Sequence, residues 1–300
     1  MALKLIIPSE INRNTSETFT LRDADANASG SAIAFIEFRS TKRICRNDRV
    51  NIYRGQLILS LDKPALDVVC KIGFGRQAVN RVANEAHFYL GKLSHLQGVC
   101  IPPCHGYFIG NTEEGPTSCI ILDYCGEPIE SMFMRLEPTF KTAIIHAAIA
   151  IHDADVRHGD LEERNVLDYK GLPMIIDFEH ADEYECERAF HVDEGQPAPM
   201  PDDFACDEIY ELCQDLRVWT PAYIQYIRTY QPISLAYDAH KLAATAPSHW
   251  SPEEALAEAY RVIVEHVKRY YLEHYDEWKA RMDAKAKSRI SSAASSIKDL

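Results

Sequence analysis

Along the first half of the chain, apolar positions recur every second residue or in short unbroken runs. The segments "AIAFIEF" (32–38) and "VNIYRGQLILSL" (50–61) have the alternation and the β-branched and aromatic content of strands. "DVVCKI" (67–72) is a short run suited to a buried strand. "VNRVANEAHFYLGKL" (79–93) breaks the pattern and reads as a helix after that third strand, and "HGYFIGN" (105–111) and "SCIILDY" (118–124) supply two more strands. After Gly126 the period lengthens. "KTAIIHAAIAIHDA" (141–154) sets Ile144, Ala148 and Ile151 on one face of a buried helix. Ser251-Pro252-Glu253-Glu254 is a capping box with proline at the first helical position. The helix it opens carries Tyr260, Val264, Val267, Tyr271, Tyr275, Trp278 and Met282 at spacings of four and three, a predicted packing face.

These patterns predict an α+β protein: a β-rich segment with one helix over 32–124, then a helical segment over 125–284. Residues 1–31, polar and rich in Asp, Asn and Ser, are expected to be a flexible amino-terminal arm, and 285–300 a flexible tail. Apolar residues at 46% and charged residues at 26% exclude wholesale disorder and membrane-protein character. A net charge of -13 argues against nucleic acid and against anionic membrane as partners, since either needs a basic face. From Glu179 to Asp215 the chain holds thirteen Asp/Glu against one Arg, Arg188. Nine cysteines without a CxxC pair suit reduced thiols, hence a cytoplasmic or nuclear protein, and the apolar run in "MALKLIIP" is too short for a secretory signal.

The candidate chemistry lies in "HGDLEERNVL" (158–167) and "PMIIDFE" (173–179). Transfer of a γ-phosphoryl group needs a carboxylate to orient the acceptor, ligands for Mg²⁺, and a cation against the phosphates. Asp160 is placed to take the acceptor hydroxyl's proton, and Asn165, five residues on, to reach a metal from the same loop. Asp177 ends an apolar strand and suits a bridge between Mg²⁺ and the phosphates. Lys71 ends the strand "VVCK", and Glu85 on the following helix is placed to hold it in an ion pair.

The order of strand lysine, helix glutamate, HxD…N loop and DFG-like aspartate resembles the protein kinase superfamily over roughly residues 45–180. The resemblance implies a bilobal protein-kinase-like fold, with a small β-rich N-lobe (32–124) and a larger helical C-lobe (125–284). It implies ATP and Mg²⁺ as cofactors, and a nucleotide cleft near Lys71 and a hinge at Asp123–Gly126, where Asp123 and Cys125 would bind the nucleotide. The chain is similar in particular to divergent fungal kinase-like proteins. "HGD" and "IDFE" also look like the loops of aminoglycoside phosphotransferases and choline kinases, whereas Arg164, four residues after Asp160, resembles the tyrosine-kinase catalytic loop.

Three departures bear on mechanism. Gly159 replaces the arginine that pairs with a phosphorylated activation loop in many protein kinases, and Tyr184 is the one hydroxyl side chain between Phe178 and Asp207. Regulation by phosphorylation there is not expected. The glycine-rich loop is absent: Cys45, Asn47 and Val50 stand where glycines would align. Arg43, Arg46 and Arg49 crowd the same segment, either as phosphate-binding substitutes or as solvated surface charges. Finally, Glu179 replaces the glycine of DFG, which suggests a more fixed segment with an added carboxylate.

Cys100, Cys104 and His105 admit a zinc reading, although "CIPPCH" is more simply a rigid turn, and His180, Cys186 and His191 are a similar case. The expected function is ATP·Mg²⁺-dependent phosphotransfer to a hydroxyl group. A cationic acceptor is expected from the acidic 179–215 segment: a basic protein segment first, an aminated small molecule as the alternative. A catalytically inactive scaffold is the reading from another class.

Overall fold

In the computed structural model the described residues are 2–8, 16–24, 35–47, 50–60, 62–272 and 275–280, the side chains of 35, 36 and 45–47 excepted. Seven strands close into a barrel: β1 Ala2–Pro8, β2 Ser16–Asp23, β3 Phe35–Asn47, β4 Val50–Ile58, β5 Leu66–Phe74, β6 Cys104–Thr112 and β7 Gly115–Asp123. The order is β1-β2-β6-β7-β5-β4-β3, and closure comes from a parallel pairing of β1 with β3, Leu3 opposite Ile36 and Leu5 opposite Phe38. Alternation decides what fills it. Leu3, Leu5 and Ile7 from β1, Phe38, Tyr53 and Leu57, and Val68, Cys70 and Ile72 from β5 all join one buried apolar cluster. Each such Leu or Ile contributes about 1.5–3 kcal/mol by leaving water.

The helix α1, Arg76–Leu90, buries Ala78, Val82, Glu85, Ala86 and Tyr89, the i, i+4, i+7, i+8 face of a 3.6-residue period. It lies close on the sheet because Gly73 lacks a side chain: a Cβ there would stand 2.7 Å from the Ala78 carbonyl oxygen. Further along come α2 Pro138–Asp153, β8 Val156–Arg157, the antiparallel hairpin β9 Val166–Tyr169 and β10 Leu172–Ile175, β11 Asp182–Glu183 paired to β8, the short α3 Pro201–Phe204, and α4 Asp207–Asp215.

The expected bilobal protein-kinase-like fold is not what forms. The strands of the amino-terminal half make a closed seven-stranded barrel, and residues 1–192 with 204–218 form one compact unit with no division at 124/125. A single buried cluster runs from Val82, Ala86 and Tyr89 of α1 through Ile120 and Leu122 of β7 to Ala147 and Ile151 of α2, Ile175 and Phe178. Among its described residues the segment expected as a helical lobe also contains the strands β8 to β11 and a further hairpin. Residues 2–8 and 16–23, expected within a flexible arm, are β1 and β2. In β2 polar outward positions hid the inward Phe19 and Leu21, β1 was read with the polar stretch after it, and pairing between strands supplies the hydrogen bonds an isolated arm would lack.

The second compact unit, residues 193–203 and 219–300, holds the hairpin β12 Tyr223–Tyr226 and β13 Thr229–Pro232, then α5 Ala239–Ala243 and α6 Pro252–Tyr270. The Ser251 capping box is formed in full, with Ser251 accepting from the Glu254 N–H and Glu254 accepting from the Ser251 N–H. The buried face of α6 is Ala255, Ala259, Val262, Ile263 and Val267. Of the expected stripe, Val267 is buried in this cluster and Tyr260, Tyr275 and Trp278 pack against it, but its centre is shifted to the small residues, which let β12 approach and Tyr226 donate to the Ala255 carbonyl at 2.8 Å. Tyr271 lies beyond the helix end, and Met282 and the tail 285–300 lie outside the described residues.

Candidate functional site

The alternation that turns Cys70 and Ile72 into the barrel puts Lys71 on the opposite face of β5, under α1. There its ammonium meets Glu85 Oε2 at 2.8 Å and Glu179 Oε2 at 3.3 Å, and it donates a short hydrogen bond to Asp177. Lys71 is 6% and Glu85 1% exposed, so the pair is almost wholly out of water. Burial works against the Lys71 ammonium, but three carboxylates outweigh it and hold the lysine's pKa above its ordinary value. Burial likewise pushes the Glu85 carboxyl up, against the pull of Lys71. Three carboxylates around one ammonium leave an excess of negative charge. Arg81, 3.9 Å from Glu179, is a distant and half-exposed counter-charge.

Asp177 has a left-handed backbone, φ 72 and ψ 60, uncommon for a residue with a side chain and found where the surroundings enforce it. What enforces it is visible on both sides. Ile176 donates its N–H to the Asn165 carbonyl, and the Ile176 carbonyl accepts from His158 Nε2 at 2.9 Å. Phe178 is fully buried against the His158 ring at 4.8 Å and the Tyr89 ring at 5.5 Å. Asn84 of α1 donates to the Glu179 and Ala181 carbonyls, so the segment that carries Asp177 and Glu179 is tied to the helix that carries Glu85.

The loop 158–165 supplies the second part. His158 Nδ1 accepts from the Asp160 N–H, which, with Nε2 donating, makes the imidazole neutral; burial lowers its pKa. Asn165 donates through its Nδ2 to the Asp160 carbonyl at 2.7 Å and to Asp160 Oδ2 at 3.0 Å, leaving its amide oxygen to offer a metal. Arg164 donates to Asp160 Oδ1 at 2.6 Å and pairs with Glu162. Gly159 is required by geometry: its φ is 78, and a Cβ would stand 2.6 Å from the His180 carbonyl oxygen. The arginine of the usual motif has no room here.

A residue that sequence reasoning passed over holds this loop. Glu208, on the first turn of α4, accepts from the Gly159 N–H at 2.7 Å and the His158 N–H at 3.0 Å, and its Oε2 meets His152 Nε2 at 2.7 Å. Burial alone would raise its carboxyl pKa, but these donors outweigh it and hold it below the ordinary value. Nothing in "CDEIYEL" singles it out from the surrounding acidic run.

Other expected residues stand apart from this cluster. Asp123 binds His105 at 2.6 Å, and Cys125 is buried with Leu167 and Met174, its thiol pushed up to about 11 by burial. Arg49 and the side chain of Arg46 lie outside the described residues. Lys42 of β3 instead lines a cavity of about 610 Å³ with Glu127, Pro128, Ile129, Glu130, Glu162, Glu163 and Arg164.

No family model matches the chain, and no curated protein matches its sequence. Among the described residues no helix is long and apolar enough to cross a membrane.

Proposed function

We propose that the chain is an ATP·Mg²⁺-dependent phosphotransferase acting on a hydroxyl group. The observation that carries this reading is the Lys71 cluster, one ammonium among Glu85, Asp177 and Glu179, with Asp160 and Asn165 joined to it through His158 and Ile176. An acid excess of this kind suits a divalent cation, and oxygen ligands suit Mg²⁺ in particular. Asp177 and the Asn165 amide oxygen would hold the ion, with Glu179 beside them. The bound nucleotide supplies the phosphoryl group and the metal spreads its charge. Lys71 then exchanges its contact with Asp177 for phosphate oxygens, and Glu85 keeps it in place. Asp160 takes the proton as the acceptor oxygen bonds to the γ-phosphorus and the bond to the ADP oxygen breaks.

The cavity beside Arg164 supports a cationic acceptor, since it carries Glu127, Glu130, Glu162 and Glu163 against Lys42 and Arg164. A basic peptide is the first choice of acceptor and an aminated small molecule the second. The free thiols among the described residues suit a reducing compartment, cytosol or nucleus.

Thermal denaturation with ATP, with and without Mg²⁺, tests the nucleotide reading: stabilisation of about 2.7 kcal/mol is expected at a hundred times Kd. Asp177→Ala should remove the Mg²⁺-dependent part, and Asp160→Asn should keep the shift while losing transfer. No shift in wild type at millimolar nucleotide would overturn the proposal, and preferred phosphorylation of acidic peptides or neutral sugars would overturn the cationic acceptor.

A further inference from the structure

A second cluster of donor atoms lies behind the 158–165 loop, at the end of α2. His152, 1% exposed, presents Nε2 to Glu208 at 2.7 Å. A carboxylate only accepts, so Nε2 is the donor, and the neutral ring offers the lone pair of Nδ1. That lone pair faces Cys206 Sγ at 3.6 Å, and Cys206, at the start of α4, is 2% exposed. Cys186, half-buried, completes a group whose ligand atoms all lie within 4.8 Å of one another. Of the cysteine–histidine sets visible in the sequence, this one was not among them. His180 sits beside Glu179 and His191 is exposed, so Cys186 finds its partners 34 residues back and 20 residues on.

We propose that His152 Nδ1, Cys186 Sγ and Cys206 Sγ bind a zinc-class divalent cation. Ligands about 2.0–2.3 Å from a tetrahedral zinc stand about 3.5–3.8 Å from one another, and the Cys206–His152 separation already matches. Cys186 is half-buried, and its Sγ lies within 4.8 Å of the other two ligand atoms, so a small side-chain adjustment would bring it to ligand distance. The Glu208–His152 hydrogen bond fixes the tautomer and the ring orientation that a metal-binding imidazole needs. Uptake of the ion converts both thiols to thiolates and releases two protons to solvent, which leaves the two thiolates and the cation electrically balanced. The ion would join the end of α2, the chain at Cys186 and the start of α4. Through His152 and Glu208 it would also brace the His158 and Gly159 amides. The site stands independently of the phosphotransfer reading.

The experiment uses the full chain without a polyhistidine tag, purified under reducing conditions, supplemented with zinc and dialysed. One zinc per chain is expected by elemental analysis, together with a thiolate-to-metal charge-transfer band on cobalt substitution. Cys186→Ser, at the half-buried position least critical to folding, should lose the band and the bound zinc. Glu208→Gln should weaken zinc binding by about 10–100-fold. Wild-type protein that retains no zinc, a Cys186–Cys206 disulfide in the reduced preparation, or a Cys186→Ser protein that binds zinc as tightly as wild type would each overturn the proposal. The wild-type measurements decide even where a variant fails to fold.

Discussion

Two glutamates drawn out of water, Glu85 on α1 fully and Glu208 on α4 in large part, solve the cost of a desolvated carboxylate in opposite ways. Glu208 is met by two backbone N–H groups and one imidazole N–H, so its charge is spread over three donors and its pKa falls despite burial. Glu85 faces one ammonium that it shares with Asp177 and Glu179, and its pKa rises. The first arrangement is closed at the carboxylate itself, whose three donors hold a loop and orient the His152 ring. The second is open, since its negative charge exceeds the cation inside it. A buried polar group that is fully paired reads as scaffold, and one left in excess reads as a place for a ligand.

The comparison breaks most sharply at Glu208. Glu208→Ala strands two amides and His152, and a loss of about 3–5 kcal/mol of stability is expected in urea or guanidinium denaturation. A change below about 1 kcal/mol would show that the three donors find water instead. Gly159→Ala comes next: the left-handed backbone and the clash with the His180 carbonyl should together remove about 2–3 kcal/mol. That loss should come with loss of transfer, because Asp160 is the next residue.

Acid pH tests the neutral imidazole between the two regions. His158 has a folded pKa below its ordinary 6.5, so the unfolded chain binds the extra proton first. The His158 contribution to stability is therefore complete above pH 6.5. It falls as pH drops below 6.5 toward the lowered folded value, at up to about 1.4 kcal/mol per pH unit. Denaturation midpoints measured from pH 7 to pH 5 should drop in wild type and drop less in His158→Gln. Glu179→Gln is the smallest and most telling change. Removing one of three carboxylates around Lys71 should raise metal-free stability by about 1 kcal/mol and weaken Mg²⁺ binding. Equal loss of stability with and without Mg²⁺ would place Glu179 among the scaffold groups with Glu208.

The residues that meet at Lys71 were legible because each sits where a local pattern puts it. Strand alternation turns Lys71 out of the barrel, helical spacing turns Glu85 inward, and Asp160 and Asn165 share one short loop. Motif order carried no comparable information about the whole fold. The same residues that suggested two lobes sit against a closed barrel, because closure depends on β1 pairing with β3 more than thirty residues away. The short apolar run of residues 2–8 was read together with the polar stretch that follows it, and the polar outer face of 16–23 made that strand look like loose chain. Glu208, His152 and Cys206 were illegible for the same reason. Residue type and period describe neighbours along the chain, whereas these side chains acquire their partners from segments about fifty residues distant, once burial has removed water as the alternative. What the sequence by itself determined is which local elements form and which chemical groups they carry. Which groups share a site, and whether their charges balance, was decided by tertiary structure, since only packing brings distant groups within hydrogen-bonding reach and lowers the dielectric around them.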